Sequence, residues 1–343
     1  MSEALRVAVV GADTLVGEAL IALLEERQFA VAELHPLASS RSLGRSVEFR
    51  GRHLPSSDLA GFDFGRVQLA FLAAGEQTSR ELAPRAAECG CVVIDGTGAF
   101  ADETDVPLVV PEVNAHAIAE YTARNLVASP DAVTIQLAVA LKPLHDAVGI
   151  EQLHVATYEA VSGVEAGRQA LDELAAQSAA LLSGRGPVCP HVIEKQIAFN
   201  CVPQVDQFLD GGRTRAELAL HARLRRVLED EGLTADVTAV RVPVFYGHSA
   251  AVHLRTRAPI DEARARALLQ NARGVTVLDA RRPGGYPTAA TEAANRDTVY
   301  VGRIREDMSY GRGLNLWIVA DNVRKGAATN AVQIAEVLVR EYL

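Results

Sequence analysis

Cysteine is scarce and scattered in this chain. Cys89, Cys91, Cys189 and Cys201 are the only four in 343 residues, none forms a CxxC pair, and no histidine cluster has zinc spacing. A structural zinc site and a disulfide framework are therefore not expected. The start, Met1-Ser2-Glu3, offers no basic n-region of a signal peptide. With reduced thiols, this points to a cytoplasmic protein. No uninterrupted apolar run approaches the roughly 20 residues that a membrane span needs, so no membrane partner is expected. Positive charge is also in deficit. Lys and Arg total 34 against 43 Asp and Glu, for a net charge of −9, which argues against nucleic acid as a partner.

What is present is ample apolar material, 49% of the chain with 22% charged, enough for large cores without disulfides. The length predicts two domains. Residues 5–10 (LRVAVV) read as a buried strand, and 11–17 as a glycine turn leading into an amphipathic helix to about residue 28. Strands follow at 30–34, 69–73 and 92–95, with a helix at 78–89. This alternation marks a doubly wound parallel sheet, placed at 1–130. From 131 to 321 the pattern changes. A helix at 133–144 precedes long strands at 151–159, 236–244, 251–257 and 298–306, with helices at 165–182 and 216–230. The last stretch carries an apolar stripe (Ala328, Val332, Ala335, Leu338, Val339) at helical spacing. The fold class is therefore α/β: a Rossmann-like domain, a mixed α/β second domain, and a C-terminal helix (322–343) returning to the first.

The strand–turn–helix with Gly11 and Gly17 has the geometry of a dinucleotide site, in which Asp13, Thr14, Leu15 and Val16 would face a pyrophosphate. Thr14 stands where the full fingerprint has a middle glycine. The alternative is a turn that binds nothing. Ser39, Arg41 and Ser42 follow the second strand, where the adenosine ribose is read. An Arg there suits the 2′-phosphate of NADP, with NAD less favoured, and a plain polar loop is the alternative.

Several blocks resemble the aspartate-semialdehyde dehydrogenase family. They are VPLVVPEVN (106–114), TIQLAVALKPLHDA (134–147), Ser162-Gly163, Ala198-Phe199-Asn200 with Pro203-Gln204-Val205-Asp206, Arg241-Val242-Pro243-Val244 with Gly247-His248-Ser249, and LNLWIVADNVRKGAATNAVQIAE (314–336). The resemblance spans nearly the whole chain in the family's order. It implies NADP as cofactor, with Ser162, Gly163 and Asn322 adding to its site, and a homodimer formed through the second domain. It also implies a cysteine nucleophile that forms an acyl intermediate released by phosphate, His248 at the base position and Arg241 as a substrate-binding Arg. The nucleophile's motif, Asn-Pro-Asn-Cys-(Ser/Thr)-Thr, reads Ser129-Pro130-Asp131-Ala132-Val133-Thr134 here. Ala132 cannot ionise or form a thiohemiacetal.

Other positions depart as well. Ala101 follows Phe100 where the family has Arg. Ala216 and Ala219 replace an acid and a Lys, although Glu217 keeps one carboxylate. Glu159 replaces a Gln. The chain thus resembles the Usg-type paralogues, which replace the active-site cysteine, and is expected to lack dehydrogenase activity and to bind or regulate. Two alternatives stay open: an NADP-dependent oxidoreductase of different chemistry, and a modulating subunit of an active paralogue. For His248 the competing reading is a partly buried structural histidine, and for Arg241 a salt bridge within the fold. Cys201 is expected to be a small buried filler, and Cys89 and Cys91 packing residues. Ser162 lacks a Gly-x-Ser-x-Gly elbow, and Asp131 is a base or a capping acid.

Overall fold

The structure is a computed structural model that describes residues 4–39, 46–164, 166–186, 188–309 and 311–343. The chain divides into two compact units: residues 1–131 with 327–343, and residues 132–326.

In the first unit, β1 (Leu5–Val10) is fully buried from Val7 onward, as a strand covered on both faces must be. After α1 (Leu15–Glu26) come β2 (Val31–Ala38), the β3 (Ser46–Phe49)–β4 (Arg52–Pro55) hairpin and β5 (Ser57–Asp58). Then follow β6 (Leu69–Leu72), α2 (Glu76–Glu88), β7 (Val92–Asp95), the short α3 (Pro111–Asn114) and β8 (Leu126–Ala128). The sheet order is β5-β2-β1-β6-β7-β8, parallel throughout. The chain leaves β1 toward β2 on one side and returns to β6 on the other, so the strand order reverses at the carboxyl ends of β1 and β6. Ligands of doubly wound sheets bind at such a reversal.

The second unit begins with α4 (Ala132–Val148) and β9 (Ile150–Glu159), then α5 (Gly167–Leu182), α6 (Arg215–Val227), β10 (Thr234–Arg241), β11 (His248–Thr256), α7 (Glu262–Gln270), β12 (Val275–Val277), β13 (Val299–Glu306) and β14 (Gly313–Ala320). Its sheet runs β10-β9-β11-β14-β13-β12, parallel at the β10/β9 and β12/β13 pairs and antiparallel between. The helices α4, α6 and α7 pack against it. Alternate residues (Leu153, Val155, Thr157; Ala250, Val252, Leu254) are buried, whereas His154, Ala156, Tyr158, Ala251 and His253 are exposed or half-buried. The period of two thus separates a helix-packed face from an open one. On the less buried positions, Tyr158 stacks at a tilt on Trp317, ring centroids 5.5 Å apart. The final helix, α8 (Asn330–Glu341), belongs to the first unit, where it contacts α1 and α3. Among the described residues, no helix is long and apolar enough to cross a membrane.

The expected strands are present with shifted ends. Strand 30–34 extends to Ala38, and 236–244 stops at Arg241, two residues before Pro243. The hairpin β3–β4 and strand β14 were not anticipated as strands. The hairpin turns on Arg50 and Gly51, both with positive φ (51° and 71°), as a two-residue hairpin turn requires.

Candidate functional site

The glycine turn is tight for reasons internal to the fold. Gly11 has φ +82°, and a Cβ there would lie 2.8 Å from the Ala73 carbonyl. At Gly17 a Cβ would lie 2.0 Å from the Gly11 oxygen. The Thr14 hydroxyl caps α1 by accepting from the Gly17 amide at 3.0 Å and lies within donating distance of the Gly11 and Ala73 carbonyls at 2.9 and 3.2 Å. Gly11 and Ala12 donate their amides to the Leu37 carbonyl, and Thr14 donates its own to Gly11. Among the described residues the amides of Leu15 and Val16, at the first two helical positions, are left without an acceptor. Two free amides at a helix N-terminus fit an anionic phosphate. Ser39 directly follows β2, while Arg41 and Ser42 lie outside the described residues.

At the end of β7, the fully buried Asp95 accepts from the Thr97 hydroxyl at 2.6 Å and from the Thr97 and Phe100 amides at 3.1 and 3.2 Å. Burial pushes its carboxyl above the usual range. It braces the turn that ends at Ala101, a fully buried methyl. Asp131 is half-buried and hydrogen-bonded or charge-paired, so it is not a free base.

In the second unit, sheet register assembles a cluster from distant residues. Arg241 pairs with Glu159 across β10 and β9. His248 opens β11 one residue beyond the Ser249–Tyr158 pair. All three lie on the helix-packed side and are 6%, 8% and 3% exposed. A Glu159 oxygen lies 3.6 Å from Arg241 Nη1 and 4.0 Å from His248 Nε2. The Thr157 hydroxyl donates to the same carboxylate at 2.9 Å. Ala160 holds both neighbours: its amide donates to His248 Nδ1 at 3.0 Å, and its carbonyl accepts from Arg241 Nη1 at 2.9 Å. Because Nδ1 is an acceptor there, a neutral His248 carries its proton on Nε2. In this arrangement His248 offers a hydrogen-bond donor rather than a proton-accepting lone pair.

Gly163 fits closely against the pair. A Cβ there would lie 2.8 Å from the imidazole and 3.3 Å from Arg241 Nη1. The Ser162 hydroxyl hydrogen-bonds the Asn322 side-chain amide at 3.0 to 3.1 Å, and Asn322 Oδ1 also accepts from the Gly247 amide at 2.8 Å. Ser162, Gly163, Asn322, His248 and Arg241 are thus one connected set. Ala132 joins from the start of α4. Its Cβ would be 2.5 Å from a Cβ on Gly326, whose amide donates to the Asp321 carbonyl. Asp321 follows Ala320, the residue paired with His248.

Glu217, the carboxylate kept at the start of α6, closes a capping box with Thr214 and accepts the Ala239 amide at 3.0 Å, so it fastens α6 to β10. One reading from sequence needs correction. Cys201, expected to be buried, is exposed, as are Cys89 and Cys189; only Cys91 is buried. Burial pushes the Cys91 thiol up to about 12. In native protein, three of the four thiols are expected to react with a disulfide reagent, and the fourth only after unfolding. A fourth fast thiol would contradict the burial of Cys91. Thr157 and Gly326 are not singled out by the sequence, because the first lies within a plain strand pattern and the second only inside the long block 314–336.

Comparison with known proteins adds the following. Residues 6–121 match the family described as "Semialdehyde dehydrogenase, NAD binding domain", and residues 141–325 match "Semialdehyde dehydrogenase, dimerisation domain". The aspartate-semialdehyde dehydrogenase of Legionella pneumophila is 53% identical over 343 residues, covering 100% of this chain and 98% of that protein. The crystal structure of aspartate semialdehyde dehydrogenase II from Vibrio cholerae superposes with a TM-score of 0.96 at 48% identity, covering 99% of this chain and 100% of that one. A probable aspartate-semialdehyde dehydrogenase from Pseudomonas aeruginosa gives 0.94 at 39% identity, covering 99% and 100%.

Proposed function

The chain belongs to the aspartate-semialdehyde dehydrogenase family, and we propose that it is a paralogue of the Usg type, without the family's thiol chemistry, acting as a dinucleotide-binding homodimer in a regulatory or scaffolding role. The observation that carries this reading is Ala132, a methyl group at the nucleophile's place, beside Gly326 at the start of α4. The other departures support it. Ala101 and Ala219 remove two cations, each worth roughly 1.5–3 kcal/mol to a bound anion as a charged hydrogen bond. Glu159 adds a negative charge. His248 presents Nε2–H where a base would need a lone pair.

The free amides of Leu15 and Val16 would hold the dinucleotide's phosphates, and Ser39 with Arg41 and Ser42 would select NADP. That group supplies hydride transfer when bound. The partly exposed aromatic pair Tyr158–Trp317 supports dimerisation through the open face of the second sheet. A second reading, an NADP-dependent oxidoreductase of different chemistry, is favoured by the intact Arg241 and His248.

Calorimetry with NADP and NAD, alongside sedimentation at several concentrations, tests the reading. A dimer that binds NADP in preference to NAD is expected. A monomer that binds neither would overturn it.

A further inference from the structure

One polar row runs straight across five strands of the second sheet. Asp236 on β10 is in register with His154 on β9, His154 with His253 on β11, His253 with Asn315 on β14, and Asn315 with Arg305 on β13. These five residues line a cavity of about 310 Å³ on the open face. At the middle of the row the two imidazoles stand directly opposite each other on antiparallel strands. Their ring centroids are 5.9 Å apart and their planes are inclined at 69°. Facing side chains of such a pair act together.

That separation is the span of a metal chelate. A zinc–nitrogen bond of roughly 2.0–2.1 Å puts the ion about 3.2 Å from each ring centre, so two imidazoles on one ion have centroids about 5.2 Å apart at the tetrahedral angle and about 6.4 Å apart in line. The observed 5.9 Å lies between the two, so no strand has to move. Asp307 Oδ1 lies 3.4 Å from His253 Nε2, the carboxylate–histidine arrangement that orients metal-binding imidazoles. Its place is fixed, because Oδ1 also accepts the Ser309 amide at 2.9 Å. Asp236 adds a carboxylate in the row beside His154, with the mostly exposed Arg213 3.8 Å away from it. The cation Arg305 stands two strands from the nearer imidazole. Coordination exchanges a hydrogen bond for a metal–nitrogen bond, so neither imidazole has to be without partners. Among the described residues no three His, Cys, Asp or Glu side chains converge on one point to hold an ion, so water would complete the shell, as in an open site rather than a structural centre.

We infer that His154 and His253 form a chelating site for a divalent transition metal ion of the zinc class, clipping β9 to β11 on the open face of the second sheet. The site goes beyond the reading above and needs neither a dinucleotide nor any particular residue at position 132.

Calorimetric titration with zinc chloride, in phosphate-free buffer and with the three exposed thiols alkylated beforehand, is the test. One saturable ion per chain is expected, with a melting temperature that rises with zinc and falls back with EDTA. His154→Gln and His253→Gln are each expected to weaken that ion by roughly 100-fold, the gain a second linked contact gives. His53→Gln, at an exposed position of β4, is expected to leave its affinity unchanged. If the half-buried His253→Gln does not fold, His154→Gln, at an exposed position, decides. The absence of a saturable zinc site in wild type would overturn the inference, as would wild-type zinc affinity in either folded variant. These readouts involve no NADP and no turnover, so failure here and failure of the functional reading are told apart.

Discussion

Given aspartate semialdehyde, phosphate and NADP, the purified protein is expected to produce no NADPH above a protein-free control. The family's reaction needs a thiolate to form the acyl intermediate, and Ala132 has no ionisable atom. Loss of a nucleophile costs on the order of 10⁴- to 10⁶-fold in turnover in enzymes where it has been removed deliberately. Absorbance at 340 nm with micromolar protein resolves a loss of that size. Phosphate-dependent turnover at the rate of active family members would overturn the functional proposal. Ala132→Cys alone is expected to change reactivity and leave turnover absent. The new thiol would sit at the start of the 17-residue helix α4, where the helix dipole favours a thiolate, and iodoacetamide is expected to label it. On the functional proposal, catalysis would still lack the cations that the family carries at positions 101 and 219, and the Glu159 carboxylate would still lie 3.6 Å from Arg241. Turnover restored by this one substitution would mean that the other departures do not matter.

The second large effect concerns stability. Gly17→Ala is expected to destabilise the first unit by about 3 kcal/mol or more, into the range reserved for clear steric conflict. The added Cβ would stand 2.0 Å from the Gly11 carbonyl oxygen, far inside contact distance, and the atom it meets is backbone. Relief requires α1 to move. That movement would break the Thr14 cap on the Gly17 amide and lift Leu20, Ile21, Leu23 and Leu24 from the core. Gly61→Ala is the matched control: a Cβ there meets nothing within 4 Å, and a change within about 0.5 kcal/mol is expected. Thermal melts of the two variants beside wild type decide the matter. Similar melting temperatures for Gly17→Ala and wild type would show that the turn has slack.

That steric result also shows what the glycines mean. Their spacing suggested a dinucleotide, yet both are required by packing alone, whatever binds above them. The informative residues in that turn are Leu15 and Val16, whose amides stay free, and a sequence does not reveal which amides are left over. Elsewhere the chain was readable in proportion to how local the signal was. The buried strands β1, β6 and β7 fell within a residue of their expected ends, because unbroken apolar runs bounded by turns have few alternatives. The β3–β4 hairpin escaped notice because its turn is Arg50-Gly51 rather than Asn-Gly or Asp-Gly. Strand β14 escaped as a strand because Gly313–Ala320 drew attention as part of a motif. The Arg241–Glu159–His248 cluster depends on the register of three strands. Each position was suspect singly, but their meeting was set by long-range pairing. The fastening role of Glu217 is illegible in the sequence for a related reason: its partner, the Ala239 amide, lies 22 residues away.

The peptide units flanking Ala160 have a wider consequence. One residue grips the imidazole with its amide and the guanidinium with its carbonyl, and both hydrogen bonds run to backbone atoms that no substitution at residue 132 removes. The cradle is therefore indifferent to whether chemistry happens in it. A change of side chain at residue 132 would therefore leave these two hydrogen bonds, and the polar arrangement they hold, in place.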